Sequence, residues 1–401
     1  MKLNLLAFAV PLFVTLMLLE YHLSIKKNKR LHNFAETVAN LNVGIVERLT
    51  DVLTTGGFYF VFAWIHSHLA IFNIRPGVIT WISLFLLTDL LWYWYHRFGH
   101  KVNIFWSVHV VHHQSEDFNY SVSARITVLQ AAARGLFWSI LPLLGFPAPM
   151  ITMLLLVHGT YPFFTHTQLV GKLGWLEYVF ITPSHHRVHH SSNPEYLDKN
   201  FGDVLIIWDK IFGTFAEEKA EPSYGLTKPL NSHSFLWQHF HFMLEMLISF
   251  KRAIGLKEKM RVLFGQPDDI DPEIRGVLEK KFISQKDPGL LSRTLSRNIT
   301  GQTIFTLTLL FFAILFEHQL SGYQLGLTAI FVVLSVINTG AMLEQKRWVF
   351  YIDIFRFCIV CLFADTFFPN TYADTVLLLA LIVFAAFHKE LKEQYCDLIY
   401  C

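Results

Sequence analysis

Charge is what this 401-residue chain has little of: Asp, Glu, Lys and Arg together make up 16% of it, against 53% hydrophobic residues. A soluble domain carries about 25% charged residues. With a mean hydropathy of +0.39, the composition excludes an ordinary soluble protein and points to a membrane. The formal net charge is only +2, and no Lys/Arg stripe interleaves with aromatics, which excludes a nucleic-acid surface. Cysteine is scarce too. Cys358, Cys361, Cys396 and Cys401 all lie near the C-terminus, so they supply neither a disulfide framework nor a thiolate ligand set for chemistry elsewhere. The Cys358-x-x-Cys361 pair falls inside an apolar run and reads as small packing residues. Other absences are equally informative. No H-E-x-x-H supplies a zinc protease's general base, and no Rossmann fingerprint, flavin motif or haem-attachment motif occurs. Any electrons used here must come from a bound small molecule or a partner protein. The chain has no internal repeat or low-complexity tract.

What it has are long apolar runs. Residues 3–19 form one, followed by the basic cluster Lys26, Lys27, Lys29 and Arg30 with no small-residue cleavage site between, which reads as a retained anchor. Further spans are predicted near 52–72, 78–95, 126–145, 148–165, 303–317, 323–342, 348–366 and 372–387. The pair covering 126–165, broken at Gly145-Phe146-Pro147, suits a shallow hairpin that enters and leaves on one side. The expected fold is an all-α, polytopic membrane bundle with a cytosolic cap. Four regions are expected: anchor spans over 1–75, a histidine-bearing core over 76–220, a cytosolic or interfacial cap over 221–300, and a four-span region over 301–401. Within the cap, 235–262 mixes aromatics with Lys and Arg and is expected to form an interfacial amphipathic helix. The segment 266–290 reads as a solvated charged face. Counting Lys and Arg by the positive-inside rule puts the 26–30 cluster, His96 to Lys101, and His166 on the cytosolic side of a multi-pass protein, in a bacterial inner membrane or an endoplasmic reticulum.

Histidine stands out against this background. The clusters His96-x-x-x-His100, His109-x-x-His112-His113 and His185-His186-x-x-His189-His190, with a single His166, fall within residues 96–190. At this histidine content an H-x-x-H-H pattern should arise by chance about 0.05 times in such a chain, and two copies are present. Imidazole is the commonest metal ligand. Residues four apart share a helix face, so His96 with His100, His109 with His112 and His113, and His186 with His189 and His190 can each offer nitrogens to one place. His96, His100, His109, His112, His113, His166, His186, His189 and His190 give nine ligands, more than one ion can use, which implies two metals. Imidazole suits iron, zinc, copper and nickel alike. Two metals held by neutral histidines beside a lipid-accessible cavity suit oxidation of an unactivated C–H bond, where dioxygen must be activated.

The clusters and their spacing resemble the fatty acid hydroxylase/sterol desaturase superfamily of membrane di-iron enzymes over about residues 80–220. Two stretches resemble its alkylglycerol monooxygenase branch: His109-Val-Val-His-His-Gln-Ser-Glu-Asp-Phe-Asn119, and Thr182-Pro-Ser-His-His-Arg-Val-His-His190 continuing through Asp198-Lys-Asn-Phe-Gly202 to Trp208-Asp-Lys-Ile-Phe-Gly-Thr-Phe215. That resemblance implies two Fe ions, tetrahydrobiopterin as electron donor, and hydroxylation of the carbon next to an ether oxygen, after which the lipid falls apart to an aldehyde and a glycerol derivative. Related members desaturate sterols or hydroxylate acyl chains with cytochrome b5 or ferredoxin as donor, and that is the alternative.

Three further residues are candidates for supporting roles. Glu116 matches an acidic position of the branch pattern and is expected to orient a ligand imidazole or join the metal site. Asp89 lies inside a span, where an unpaired charge is expensive, so a hydrogen bond to a histidine is expected. His185 cannot share the direction of His186 on a helix and reads as a residue beside the metal ligands or the cavity. His158 reads as a core histidine, and Asn119, Asn193 and Asn200 as turn and capping residues. The aromatics Trp92, Tyr93, Trp94, Tyr95, Phe98, Phe105, Trp106, Phe163 and Phe164 would line an alkyl-chain cavity or form an interface belt. Two rival classes use the same histidines without redox chemistry. A metal transporter is disfavoured because no acidic ladder crosses the bilayer, and a zinc hydrolase is separable by whether its product carries an atom from dioxygen.

Overall fold

A computed structural model describes residues 3–283, 291–367 and 371–400. Among them no strand forms, and two isolated bridges, Phe180 with Leu205 and Ser191 with Tyr224, pin loops together. The all-α expectation holds. The stretch 284–290 of the expected charged face, and Cys401, lie outside the described residues.

The N-terminal half builds the site. Helix α1 (Ala9–Lys26) leads into α2 (Phe34–Leu69), which Asn33 starts by accepting from the amides of Ala35 and Glu36. Helix α3 (Val78–Lys101) carries the first histidine pair, and α4 (Asn103–His109) runs into a 3-10 turn, Val110–His113. Short α5 (Tyr120–Ser123), α6 (Gln130–Trp138) and α7 (Ile140–Leu144) precede α8 (Ala148–Thr165), which delivers His166 at its C-terminal end. The turn between α7 and α8 depends on Gly145, whose φ is +110°. A Cβ there would sit 1.9 Å from the Phe72 carbonyl oxygen, beside the point where the Ile71 amide donates to Leu143.

Among the described residues, four helical segments are long and apolar enough to cross a membrane: Leu5–Lys26, α3, and the later α14 (Arg293–Leu315) and α15 (Gly322–Leu343). The predicted span 126–145 is instead two short helices, α6 and α7, each under the ~20 residues a crossing needs. The predicted span 52–72 is the second part of the 36-residue α2. The basic cluster after α1 meets the chain that follows His166: Lys27 and Lys29 donate to the carbonyls of Leu169 and Gln168. That places the cluster and His166 at the same end of the bundle.

Helix α9 (Pro183–His189) presents the third cluster, and α10 (Ile207–Ile211) follows a loop that closes over it. The expected amphipathic helix 235–262 is two helices, α11 (Phe235–Arg252) and α12 (Gly255–Phe264), separated at Ala253 and Ile254. Helix α11 buries Phe235, Phe242 and Met246 in the protein core while Leu236, Phe240 and Leu247 stay exposed. Helix α12 has no buried residue. Beyond α13 (Pro272–Phe282), α14 and α15 pack against α2, where Thr339 donates to Asn42. Helices α16 (Val349–Asp365) and α17 (Thr371–Tyr400) complete the C-terminal region.

Candidate metal centre

The nine predicted ligands come together as two groups. His96, His100, His109, His113 and His189 form one, and His112, His166, His186 and His190 the other, each with nitrogens within 4.8 Å of one another. Spacing decides the partition. His109 ends α4, and of the two histidines in the 3-10 turn after it, His113, four residues on, joins the group of His109 while His112, three residues on, joins the other. In α9 the same split occurs: His186 and His190 go to the four-member group and His189 to the five-member group. Gly99 lets α3 approach, since His109 Cγ lies 3.3 Å from where a Cβ would stand.

The hydrogen bonds fix which nitrogen each ring offers. His96 Nδ1 donates to the Phe201 carbonyl at 2.9 Å, His112 Nδ1 to Arg125 at 3.1 Å, His166 Nδ1 to Pro162 at 2.6 Å, and His189 Nδ1 to Lys199 at 3.0 Å. A carbonyl only accepts, so each of these neutral rings carries its proton on Nδ1 and a bare lone pair on Nε2. Yet His112 Nε2 and His166 Nε2 face each other at 3.3 Å. Two lone pairs that close repel unless a cation lies between them. The other contacts repeat the spacing: Nε2 atoms are 3.1 Å apart for His96 and His109, His100 and His113, His109 and His113, and His166 and His186. An ion bound at about 2.1 Å holds neighbouring nitrogens about 3.0–3.4 Å apart in octahedral or tetrahedral geometry. His189 Nε2 and His190 Nε2 are buried with no partner, as ligand atoms are before metal enters. Both groups therefore fit a metal.

Burial is also the first cause, and neighbouring imidazoles the second, that hold His113, His186 and His190 well below the ordinary histidine value. The same burial acts on His189, with His96 and His100 adding to it. The rings are neutral at pH 7, which is the form that binds metal.

The supporting residues lie elsewhere than expected. Glu116 is exposed and touches no ligand histidine. It lines a small polar cavity of about 150 Å³ with Glu36, Arg125 and His233. Asp89 does not hydrogen-bond a metal-binding histidine. Its oxygens accept from the Val204 and Leu205 amides and the Trp208 indole, since that loop passes directly over α3. His185 is buried but caps α9 through the Thr182 amide and packs edge-on against Phe215. The role expected of these three falls to backbone carbonyls and to two residues the sequence left unassigned. Asp198 lies 3.8 Å from His100 Nδ1. Arg125, 1% exposed, braces the 3-10 turn from behind by donating to Val111, Asn40 and Gln114. The Asp198-to-Gly202 stretch held the signal: Asp198 and Asn200 adopt positive φ, which turns the Lys199 and Phe201 carbonyls toward the metal groups, while Asp209 accepts from the Phe201 and Gly202 amides.

An apolar cavity of about 700 Å³ reaches both groups, touching His96, His109, His112, His166 and His186. Trp92, Tyr95, Phe163 and Phe164 line it, whereas Tyr93 and Trp94 pack against Phe212. Leu12, Met153, Leu156 and Phe164 belong both to its lining and to the exposed outer surface, so it opens between α1 and α8.

The fatty acid hydroxylase family model matches residues 81–214, the stretch that holds all nine candidate ligands. The alkylglycerol monooxygenase of Homo sapiens is 35% identical over 353 residues, which cover 84% of this chain and 77% of that protein. The chain belongs to the fatty acid hydroxylase family. The alkylglycerol monooxygenase of Danio rerio is 32% identical over 88% of this chain and 81% of its own length. An ornithine lipid hydroxylase of Rhizobium tropici is 31% identical over 31% of this chain and 38% of its own. No solved structure matches. As a fatty acid hydroxylase family member with apolar membrane-length helices and two histidine groups, this protein is an oxidoreductase, a membrane lipid monooxygenase.

Proposed function

We propose that the chain oxidises an ether lipid at the carbon beside the ether oxygen. The observation that carries this reading is the continuity of one lipid-sized cavity with both histidine groups, alongside relatives of that activity over most of the chain. Two irons held there would supply dioxygen activation. The nine histidines hold lone pairs in place, and the apolar walls exclude water and align a hydrocarbon chain beside the groups. In the balanced reaction one atom of dioxygen enters the C–H bond and the other leaves as water, with two electrons from an outside donor and two protons. The product is a hemiacetal, which separates into an aldehyde and a glycerol derivative. Tetrahydrobiopterin is the donor this reading favours, and a cytochrome b5 or ferredoxin the alternative. The basic cluster at 26–30, at the same end of the bundle as His166, supports an active site facing the cytosol.

Oxygen uptake and product mass with iron-loaded protein and an alkylglycerol test the reading. Pterin-dependent release of a fatty aldehyde is expected. Activity confined to a sterol or acyl lipid with a protein donor would replace it with the second reading.

A further inference from the structure

Away from the histidine groups, the cavity wall carries polar side chains that metal binding does not use. His158 is fully buried and lines the cavity. Its Nδ1 donates to Asp203 at 2.7 Å, and its Nε2 has no partner. Asp89, His158 and Asp203 are spaced closely enough to hold an ion. However, Asp89 is already satisfied by three donors, and the His158 Nδ1 proton is committed to Asp203. What remains is one buried imidazole nitrogen able to accept a hydrogen bond.

Arg134 and Gln130, one turn apart on α6, line the same cavity. Arg134 pairs with Asp51 of α2 at 3.1 Å, and its charge also acts on Asp203. Polar groups placed in an apolar cavity cost free energy unless they are matched. A hydrocarbon chain matches none of them. An anionic head matches them poorly, because Arg48 and Arg134 share the cavity wall with three carboxylates, those of Glu47, Asp51 and Asp203.

We propose that His158, Asp203 and Arg134 form a subsite for the uncharged, hydroxyl-bearing head of the lipid, leaving the alkyl chain to run out between α1 and α8. A head hydroxyl donates to His158 Nε2 and accepts from Arg134, while Asp203 is a positioning residue that fixes the His158 tautomer. The carbon that reaches the metal groups is then set by its distance from the head and not from the chain end. This inference rests on the ether-lipid reading.

The test uses the full iron-loaded protein with 1-O-hexadecylglycerol and its 2,3-di-O-methyl ether, which keeps the ether bond and removes both hydroxyl donors. Wild type is expected to favour the diol in kcat/KM by about tenfold or more, as sites built to hydrogen-bond a hydroxyl do. His158→Phe and, independently from another wall, Arg134→Met should raise KM for the diol and erase the preference with iron content unchanged. His158→Gln, which keeps a polar group, should recover part of it. Palmitate should not compete. Variants that retain the full preference would overturn the subsite and leave the ether-lipid reading standing. If His158→Phe does not fold, Arg134→Met decides. Wild type inactive on both ethers would overturn the reading itself.

Discussion

The five-nitrogen and four-nitrogen groups are built from the same motifs, and they differ in how each motif is shared. Pairs four residues apart stay together: His96 with His100, His109 with His113, and His186 with His190. Members three apart are separated, so His112 leaves the group of His109 and His189 leaves the group of His186. Each H-x-x-H-H therefore serves both groups, and neither group can be assembled by one segment alone. The five-member group also has an acidic neighbour, Asp198, near His100. The four-member group packs instead against the Phe118 ring.

If that sharing governs the site, removing a crossing histidine should damage both metals. His112→Ala and His189→Ala are expected to reduce turnover to the assay floor and bound metal from two equivalents to one or fewer, measured by metal analysis. Full activity in either would break the shared-motif description. Next in size is the brace behind the turn that separates His112 from His113. Arg125→Met should lower stability by about 3 kcal/mol, because buried acceptors including Gln114 and Asn40 lose their donor, and should weaken metal retention in both groups. Thermal unfolding with and without metal measures this. A smaller, one-sided effect is expected from Asp198→Asn, about tenfold or less in metal affinity and confined to one of the two equivalents. Glu116→Gln should leave metal content and turnover unchanged within about twofold, and a large loss would restore the role expected of it from sequence.

Acidification sharpens the comparison further. His113, His186, His189 and His190 are held below the ordinary value, so the folded state takes up protons there less readily than the unfolded chain. Their contribution is present above the unfolded value of about 6.5 and is lost as pH falls through the lower folded values. Metal-free protein should lose stability as pH drops from 7 to 5, and metal should leave over the same range. Retention of both metals at pH 5 would contradict the neutral-lone-pair description.

The candidate ligands stood out in the sequence because a rare residue recurs at repeated spacing, and the structure gathers all nine into two groups. Their division did not stand out, because helical reasoning keeps His109 near both His112 and His113, and which of them shares its group depends on where the other segments bring their rings. The all-α class followed from the long apolar runs, but 126–145 broke into α6 and α7, and 235–262 broke before Gly255, whose φ is +82°. Glu116 lies away from the ligands because a carboxylate near a ligand in sequence says nothing about where its side chain goes, and Asp89 meets a histidine, His158 at 3.7 Å, that is not among the nine. Asp203 and His158, forty-five positions apart, carried no local signal at all.

The Nδ1 contacts have a consequence for variation. Four imidazoles are aimed by the main-chain oxygens of Arg125, Pro162, Lys199 and Phe201, and every amino acid brings the same oxygen. Substituting side chains at Pro162, Lys199 or Phe201 can leave the aiming intact, whereas the Arg125 side chain also braces the turn, so an alanine scan would pass over much of what orients these rings. Inserting or deleting a single residue would not. Near Asn200 the site is tolerant of spelling and intolerant of length, and relatives should differ there in letters before they differ in count.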